Sequence, residues 1–246
     1  MFPLLAALLL AQPDASGDAR GDGRYQLPSG LKSTPATYDL RELRADNVNG
    51  KLRLTVTLGA LENPWGAPLG FSGPILDLFV KTQIGGRQTL DGTGFSTPAG
   101  DGWQYHIRLD GLTLRWWEVA DGQKTARPRR EPLGLRLSGT SLVLDTPLTA
   151  GRYSYWVTSG VFSPFTKDGL LRPGAQGGPA ALGSPLPEAP PVVDLIGGGE
   201  QARAYATRVL PPVGEVRDRR SLTLLAAAGA GLFVALIASF FTWRKR

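Results

Sequence analysis

Residues 222–243 of this chain, LTLLAAAGAGLFVALIASFFTW, carry no charged side chain. Wound into a helix, a run of that length rises about 33 Å, enough to cross a hydrocarbon core of about 30 Å. Arg217, Arg219 and Arg220 precede it, Arg244, Lys245 and Arg246 follow it, and Trp243 stands where interfacial aromatic rings sit. Apolar runs of this length are rare in soluble cores. The expectation is a transmembrane helix over 222–243, preceded by a juxtamembrane linker over 206–221 and followed by a basic cytoplasmic tail over 244–246. Such an anchor ties the rest of the chain to a lipid bilayer.

The N-terminal run, residues 2–11 (FPLLAALLLA), is apolar but too short to span. Its length suits the hydrophobic region of a secretory signal peptide over 1–12, with cleavage near Ala11 or Gln12, although no Lys or Arg precedes it. Both flanks of the C-terminal run are basic, so charge bias alone does not orient the chain. Cleavage at the N-terminus gives a single-pass protein of the cell membrane with its domain extracytoplasmic. Without cleavage the domain would lie inside.

The net charge of +6 invites a nucleic-acid reading until it is located. Residues 217–246 hold six basic groups and one acid, which leaves the remainder at +1. A nucleic-acid footprint needs a basic face on the folded domain. The local cluster Lys124, Arg127, Arg129 and Arg130 beside Pro128 is explained as well by a solvated hairpin loop, so no nucleic-acid partner is expected. There is no Cys, one His (His106) and one Met (Met1). No haem is expected either, because two strong protein ligands are lacking. A Ser-His-Asp site could run only through His106, no nucleophile elbow occurs, and nothing singles out a carboxylate pair. No enzyme activity is expected.

Between the apolar ends the chain reads as short strands. Leu52, Leu54, Val56 and Leu58 alternate with Arg53, Thr55 and Thr57, the period of a half-buried strand. Further strands are expected over 74–82, 103–109, 112–118, 133–137, 141–144 and 153–158, with Asp-Gly turns at 91, 101, 110 and 121. Residues 173–191 are rich in Pro, Gly and Ala and read as a long loop or lid. An edge strand over 192–195 and a short helix over 201–209 follow. Many short strands, Gly-rich turns and no amphipathic helix predict an all-β, antiparallel sandwich of immunoglobulin-like type over 13–205.

Several motifs occur in an order that resembles one family. They are Gly17 and Asp18, Gly21, Gly23, Tyr25 and Pro28; then Tyr38, Asp39 and Leu40; then Asn63, Pro64, Trp65 and Gly66 with Gly70, Phe71 and Ser72; then Asp77. Trp103, Gln104, Tyr105, Ile107 and Gly111 follow, with Tyr153, Ser154 and Tyr155, and finally Pro191, Val192, Val193, Asp194 and Leu195. This series resembles the DOMON-like domain at the C-terminus of glucodextranase and related amylolytic enzymes. The resemblance implies a β-sandwich that accompanies polysaccharide-active enzymes and binds glucan or another envelope polysaccharide. The catalytic domain of those enzymes has no counterpart here, so hydrolase activity is not implied. The alternative is a structural or assembly protein of the cell envelope that uses the same sandwich to bind another protein.

Aromatic rings are the natural platforms for a sugar. Trp116 and Trp117 are adjacent, so on a strand they point to opposite faces. Tyr153 and Tyr155 share a face with Trp156 opposite, and Trp65 lies in a Gly/Pro turn. Trp116, Trp117, Tyr153, Tyr155 and Trp65 are therefore the candidate carbohydrate contacts. Asp14, Asp18 and Asp22, at four-residue spacing in a Gly-rich segment, are candidate ligands for Ca²⁺, which takes hard oxygen donors. Leu210, Pro211, Pro212, Val213 and Gly214 resemble a sortase sorting signal with Val213 where Thr is expected.

Overall fold

The computed structural model describes residues 6–20, 24–120, 123 and 125–216. The segment expected to cross a membrane, residues 222–243, lies outside the described residues, as does Asp22. No helix among the described residues is long and apolar enough to span a bilayer.

Two antiparallel sheets carry the fold. One has five strands in the order β1–β2–β3–β11–β10, built from β1 (Ala6–Pro13), β2 (Leu40–Val48), β3 (Lys51–Leu58), β10 (Gly134–Ser138) and β11 (Ser141–Thr149). The other has six in the order β13–β12–β4–β7–β8–β9. Its strands are β4 (Pro74–Lys81), β7 (Tyr105–Leu109), β8 (Leu114–Glu118), β9 (Arg127–Pro128), β12 (Ser154–Val161) and β13 (Asp194–Ile196). A small hairpin of β5 (Thr89–Leu90) and β6 (Phe95–Ser96) and a helix α1 (Gln201–Thr207) complete the unit.

The two sheets differ in how many faces they bury. In β3 buried and half-buried residues alternate, and the outward positions pair across strands, as in the ion pair of Arg53 with Asp145 at 2.5 Å and the hydroxyl pair of Thr57 with Ser141 at 2.9 Å. In β4 and β12 every residue is buried. The inner face of the six-stranded sheet, through Val157, Leu78, Ile107 and Trp116 in one cross-strand row, packs on Leu43, Leu54, Val56 and Leu144 of the five-stranded sheet. Its outer face holds a second core in which Phe79 and Trp156 meet Tyr25, Phe95, Trp103, Val193, Tyr205 and Leu210 from the connecting segments and α1. A strand covered on both faces needs no polar alternation; β4 is apolar but for Asp77 and Lys81, and β12 carries only small hydroxyl residues and Gly160 beside its apolar ones.

The polar atoms of the large rings fasten this covering layer. Trp156 Nε1 donates to the Leu210 carbonyl at 2.8 Å, Trp103 Nε1 to Thr89 at 2.8 Å, Tyr25 to Pro190 at 2.5 Å and Tyr205 to Val192 at 3.0 Å. The sorting-like segment belongs to the same layer. Leu210 and Val213 are buried, Val213 exchanges both backbone hydrogen bonds with Tyr155, and Leu210 N–H donates to Ser96.

Two of the longer strands differ from the reading of the sequence, and the two-residue strands β5, β6 and β9 also lie outside the expected ones. Ala6–Pro13, in the run expected to be a signal peptide, pairs antiparallel with β2 as the edge of the five-stranded sheet. Cleavage near Ala11 would remove most of β1. β2 itself joins β3 through Asn49 and Gly50, both at positive φ (53° and 79°), the geometry of a type I′ hairpin.

Candidate functional site

Three motifs far apart in sequence converge beside the end of β1. Asp14 follows that strand, Asp18 lies in the next loop, Asp39 immediately precedes β2 and Asp194 opens β13. One carboxylate oxygen from each of Asp14, Asp18 and Asp194 lies within 4.8 Å of the others. Asp194 is fully buried and accepts the N–H groups of Leu40 at 2.6 Å and Leu195 at 2.8 Å. Asp39 adjoins the group, accepting the Gly17 N–H at 3.1 Å and pairing with Arg41 at 2.5 Å. The amide of Gln201 donates toward Asp14 and Asp18 at 3.2 and 3.3 Å.

Among the described residues no Lys or Arg lies at hydrogen-bonding distance from Asp14, Asp18 or Asp194. Burial and then the Asp18 charge push the Asp14 carboxyl up to about 7. Burial and then Asp14 push Asp194 up to about 9. Burial raises Asp18 as well. Asp14 Oδ2 and Asp18 Oδ1 are buried with no hydrogen-bond partner among the described residues. Orphaned carboxylate oxygens, all hard donors, without nitrogen or sulfur, fit Ca²⁺ rather than a transition metal. Two of the three expected ligands, Asp14 and Asp18, are thus brought together, and Asp194 joins them. Spacing gives no sign of it, since it lies 176 residues from Asp18; the sequence marks it only as part of the Pro191–Leu195 family motif.

A second group of buried charges lies on the outer face of the six-stranded sheet. Asp77, Arg108 and Arg115 form one cross-strand row over β4, β7 and β8. Phe79, His106 and Trp117 form the neighbouring row. Asp77 accepts from Arg108 Nε at 2.6 Å and Nη2 at 2.9 Å, and its Oδ1 lies 2.6 Å from His106 Nε2. Burial would raise the Asp77 carboxyl, but Arg108 and then His106 hold it below the usual carboxylate range. The His106 ring is sandwiched between Phe79 at 4.2 Å and Trp117 at 5.0 Å, so the single histidine is committed to packing and to Asp77.

The covering layer stops short of β8, and there the same face opens to solvent. Trp117, with its inner side against His106, lines a cavity of about 540 Å³ with Arg108, Arg115, Lys167, Asp168 and Arg172. A second cavity of about 580 Å³ shares Arg115 and Trp117 and continues past Arg129, Arg130 and Glu131 over a floor that includes Leu69, Leu133 and Leu135. The two adjoin through Arg115 and Trp117, a groove at β8.

Of the other expected sugar contacts, Trp116 is 3% exposed on the inner face, its indole N–H donating to Glu131 and the Arg129 guanidinium lying 4.9 Å from its ring centre. Tyr155 is 2% exposed in the inter-sheet core, so it offers no ring face at the surface. Tyr153 is half-buried and donates its hydroxyl to Thr149. Trp65, 44% exposed, lines neither cavity; the Asn63 side chain closes its turn onto Ala67 and its ring packs at 6.0 Å from Phe162. The expected contacts therefore do not form one site. Trp117 alone among them lines the groove while remaining part-exposed; of the cations there, Arg129 and Arg130 belong to the basic cluster beside Pro128, and Arg108, Arg115, Lys167 and Arg172 have no such local sign.

A double-layered sandwich with an open aromatic and cationic groove defines a binding module. The chain matches the family described as the C-terminal binding module, SLH-like, of glucodextranase over residues 9–142, more than half its length, and belongs to that family. The family is one of binding modules rather than catalytic domains. The match begins inside β1 and includes Asp14, Asp18, Asp77 and Trp117, whereas Asp194 and the C-terminal part of the covering layer lie beyond it. No curated protein matches the chain.

Proposed function

We propose that this protein is a membrane-anchored, extracytoplasmic, non-catalytic module that binds glucan-like or other envelope polysaccharide. Membership of a binding-module family supports a non-catalytic role. The observation that carries the reading is Trp117: its ring is held flat against His106 at one side and lines an open groove at the other. A fixed indole presents an apolar face to the C–H groups of a sugar without loss of side-chain freedom on binding. The charge-free run over 222–243 supplies the anchor in this reading. The full chain applied to a glycan array should be retained on at least one polysaccharide. Retention on none, by protein that melts cooperatively, overturns the reading.

Export rests on the N-terminal run, which also forms β1. The N-terminal sequence of the mature protein separates the two uses. A start near Gln12 identifies a cleaved signal peptide, and a start before Ala6 identifies a retained strand.

One observation favours a protein partner as the second reading. Phe165 is 96% exposed in the loop after β12, the same loop whose Phe162 packs on the half-exposed Trp65. Co-purification with an envelope protein that survives excess oligosaccharide and is lost in Phe165→Ala would favour it.

A further inference from the structure

Resting on the carbohydrate reading above, the geometry points to an anionic saccharide, bearing carboxylate or phosphate, as the occupant of the groove at Trp117. The chain outside residues 217–246 is close to neutral, yet the groove gathers Arg108, Arg115, Arg129, Arg130, Lys167 and Arg172 against only Glu131 and Asp168. These cations are not equivalent. Arg108 is neutralised by Asp77 beneath it and its remaining donors reach the Asp91 and Asp168 carbonyls. Arg172 is held in a fork by Asp168 at 2.7 and 3.0 Å, and Arg129 by Glu118 and Glu131.

Arg115, Lys167 and Arg130 are less committed: none of them makes a side-chain hydrogen bond among the described residues. Arg115 has only a long ion pair with Asp110 at 3.8 Å, and Lys167 and Arg130 have no ion-pair partner among the described residues. Arg115 and Lys167 come from different elements, β8 and the loop after β12, and line the 540 Å³ cavity with Trp117. The Trp117 indole N–H also has no acceptor among the described residues. A neutral glucan would use the ring and this N–H and leave Arg115 and Lys167 facing it without a short ion pair. A carboxylate or phosphate on the sugar satisfies them: the guanidinium fork accepts either group in bidentate fashion, and the ammonium acts as a point charge.

The test uses the full chain and three oligosaccharides of equal length: a neutral glucan, an oligogalacturonate and a phosphorylated glucan. Both anionic ligands, or one of them, should bind at least tenfold more tightly than the neutral one, and the preference should shrink as salt rises, because the pairs are solvent-exposed. Comparing the two anionic ligands distinguishes carboxylate from phosphate. The double variant Arg115→Ala, Lys167→Ala changes exposed side chains only, so it should keep its melting temperature and lose the preference while retaining neutral-sugar binding. Equal binding of neutral and anionic ligands overturns the inference and leaves the carbohydrate reading standing. A preference unchanged in the double variant overturns the assignment to this groove. Binding of no saccharide overturns both.

Discussion

Asp77 and Asp194 are both buried, both on the six-stranded sheet, and titrate in opposite directions. Asp77 is met by Arg108 and His106 and held below the usual carboxylate range. Asp194 is met by backbone N–H groups and by the acids Asp14 and Asp18, and is pushed up to about 9. Equal burial thus leads to opposite chemistry, decided by the sign of the neighbour. The Asp77 group is complete as it stands. The Asp194 group is incomplete without a proton or a cation, and it joins the loop after β1 to β13 and α1.

The largest effect should come from breaking the complete group. Asp77→Asn leaves the Arg108 charge buried and unpaired and should cost about 3–5 kcal/mol, read by denaturant unfolding. A loss within about 0.5 kcal/mol of the parent would show that water or a neighbouring loop compensates Arg108.

Next comes the cation. Ca²⁺ at about a hundred times its dissociation constant should raise the melting temperature over the chelated protein by about 5–10 °C, and Asp14→Asn should abolish the rise. Absence of any shift would remove calcium from the Asp14, Asp18 and Asp194 group.

The pH dependence of the chelated protein should then separate the two regions. A carboxyl whose folded pKa is raised keeps a proton that the unfolded chain releases. The stability it confers is present at low pH and is lost as pH climbs above about 4, the loss ending near 7 for Asp14 and near 9 for Asp194. Asp77, whose pKa is lowered, contributes the other way: its stability is present above the ordinary carboxylate range and is lost as acid protonates it. Melting temperatures with chelator should fall from pH 5 to 9, and saturating Ca²⁺ should flatten that fall. A chelated protein that gains stability over this interval would contradict the assignment.

The smallest effect should be a gain. In chelator at pH 8, Asp14→Asn removes one like charge and should raise the melting temperature by about 2–4 °C, roughly 1 kcal/mol, the opposite sign to Asp77→Asn. A destabilised Asp14→Asn would mean that the acids are structurally satisfied without a cation.

How much of this was legible follows from the range over which each contact acts. The alternation in β3 and the opposite faces of Trp116 and Trp117 are properties of adjacent residues, and both stand in the structure. β2 escaped because its apolar positions are diluted by Arg41, Glu42 and Arg44; the Asn49–Gly50 pair was the local sign of its hairpin. β1 escaped because an apolar edge strand and the hydrophobic region of a signal peptide have the same composition. Asp194 and Lys167 reach their groups only through tertiary folding, and spacing carries no trace of either. The family motifs did mark the places that matter: Asp18, Asp39 and Asp194 come from three of them and meet at one point.

The most direct test of the groove is retention of the full chain on an immobilised polysaccharide selected from the array, compared between the parent, Trp117→Ala and Trp65→Ala. Both rings are part-exposed, but only Trp117 lines the groove. Trp117→Ala should lose at least tenfold in affinity at an unchanged fold, and Trp65→Ala should match the parent. Equal retention by Trp117→Ala and the parent would contradict glycan binding at this surface.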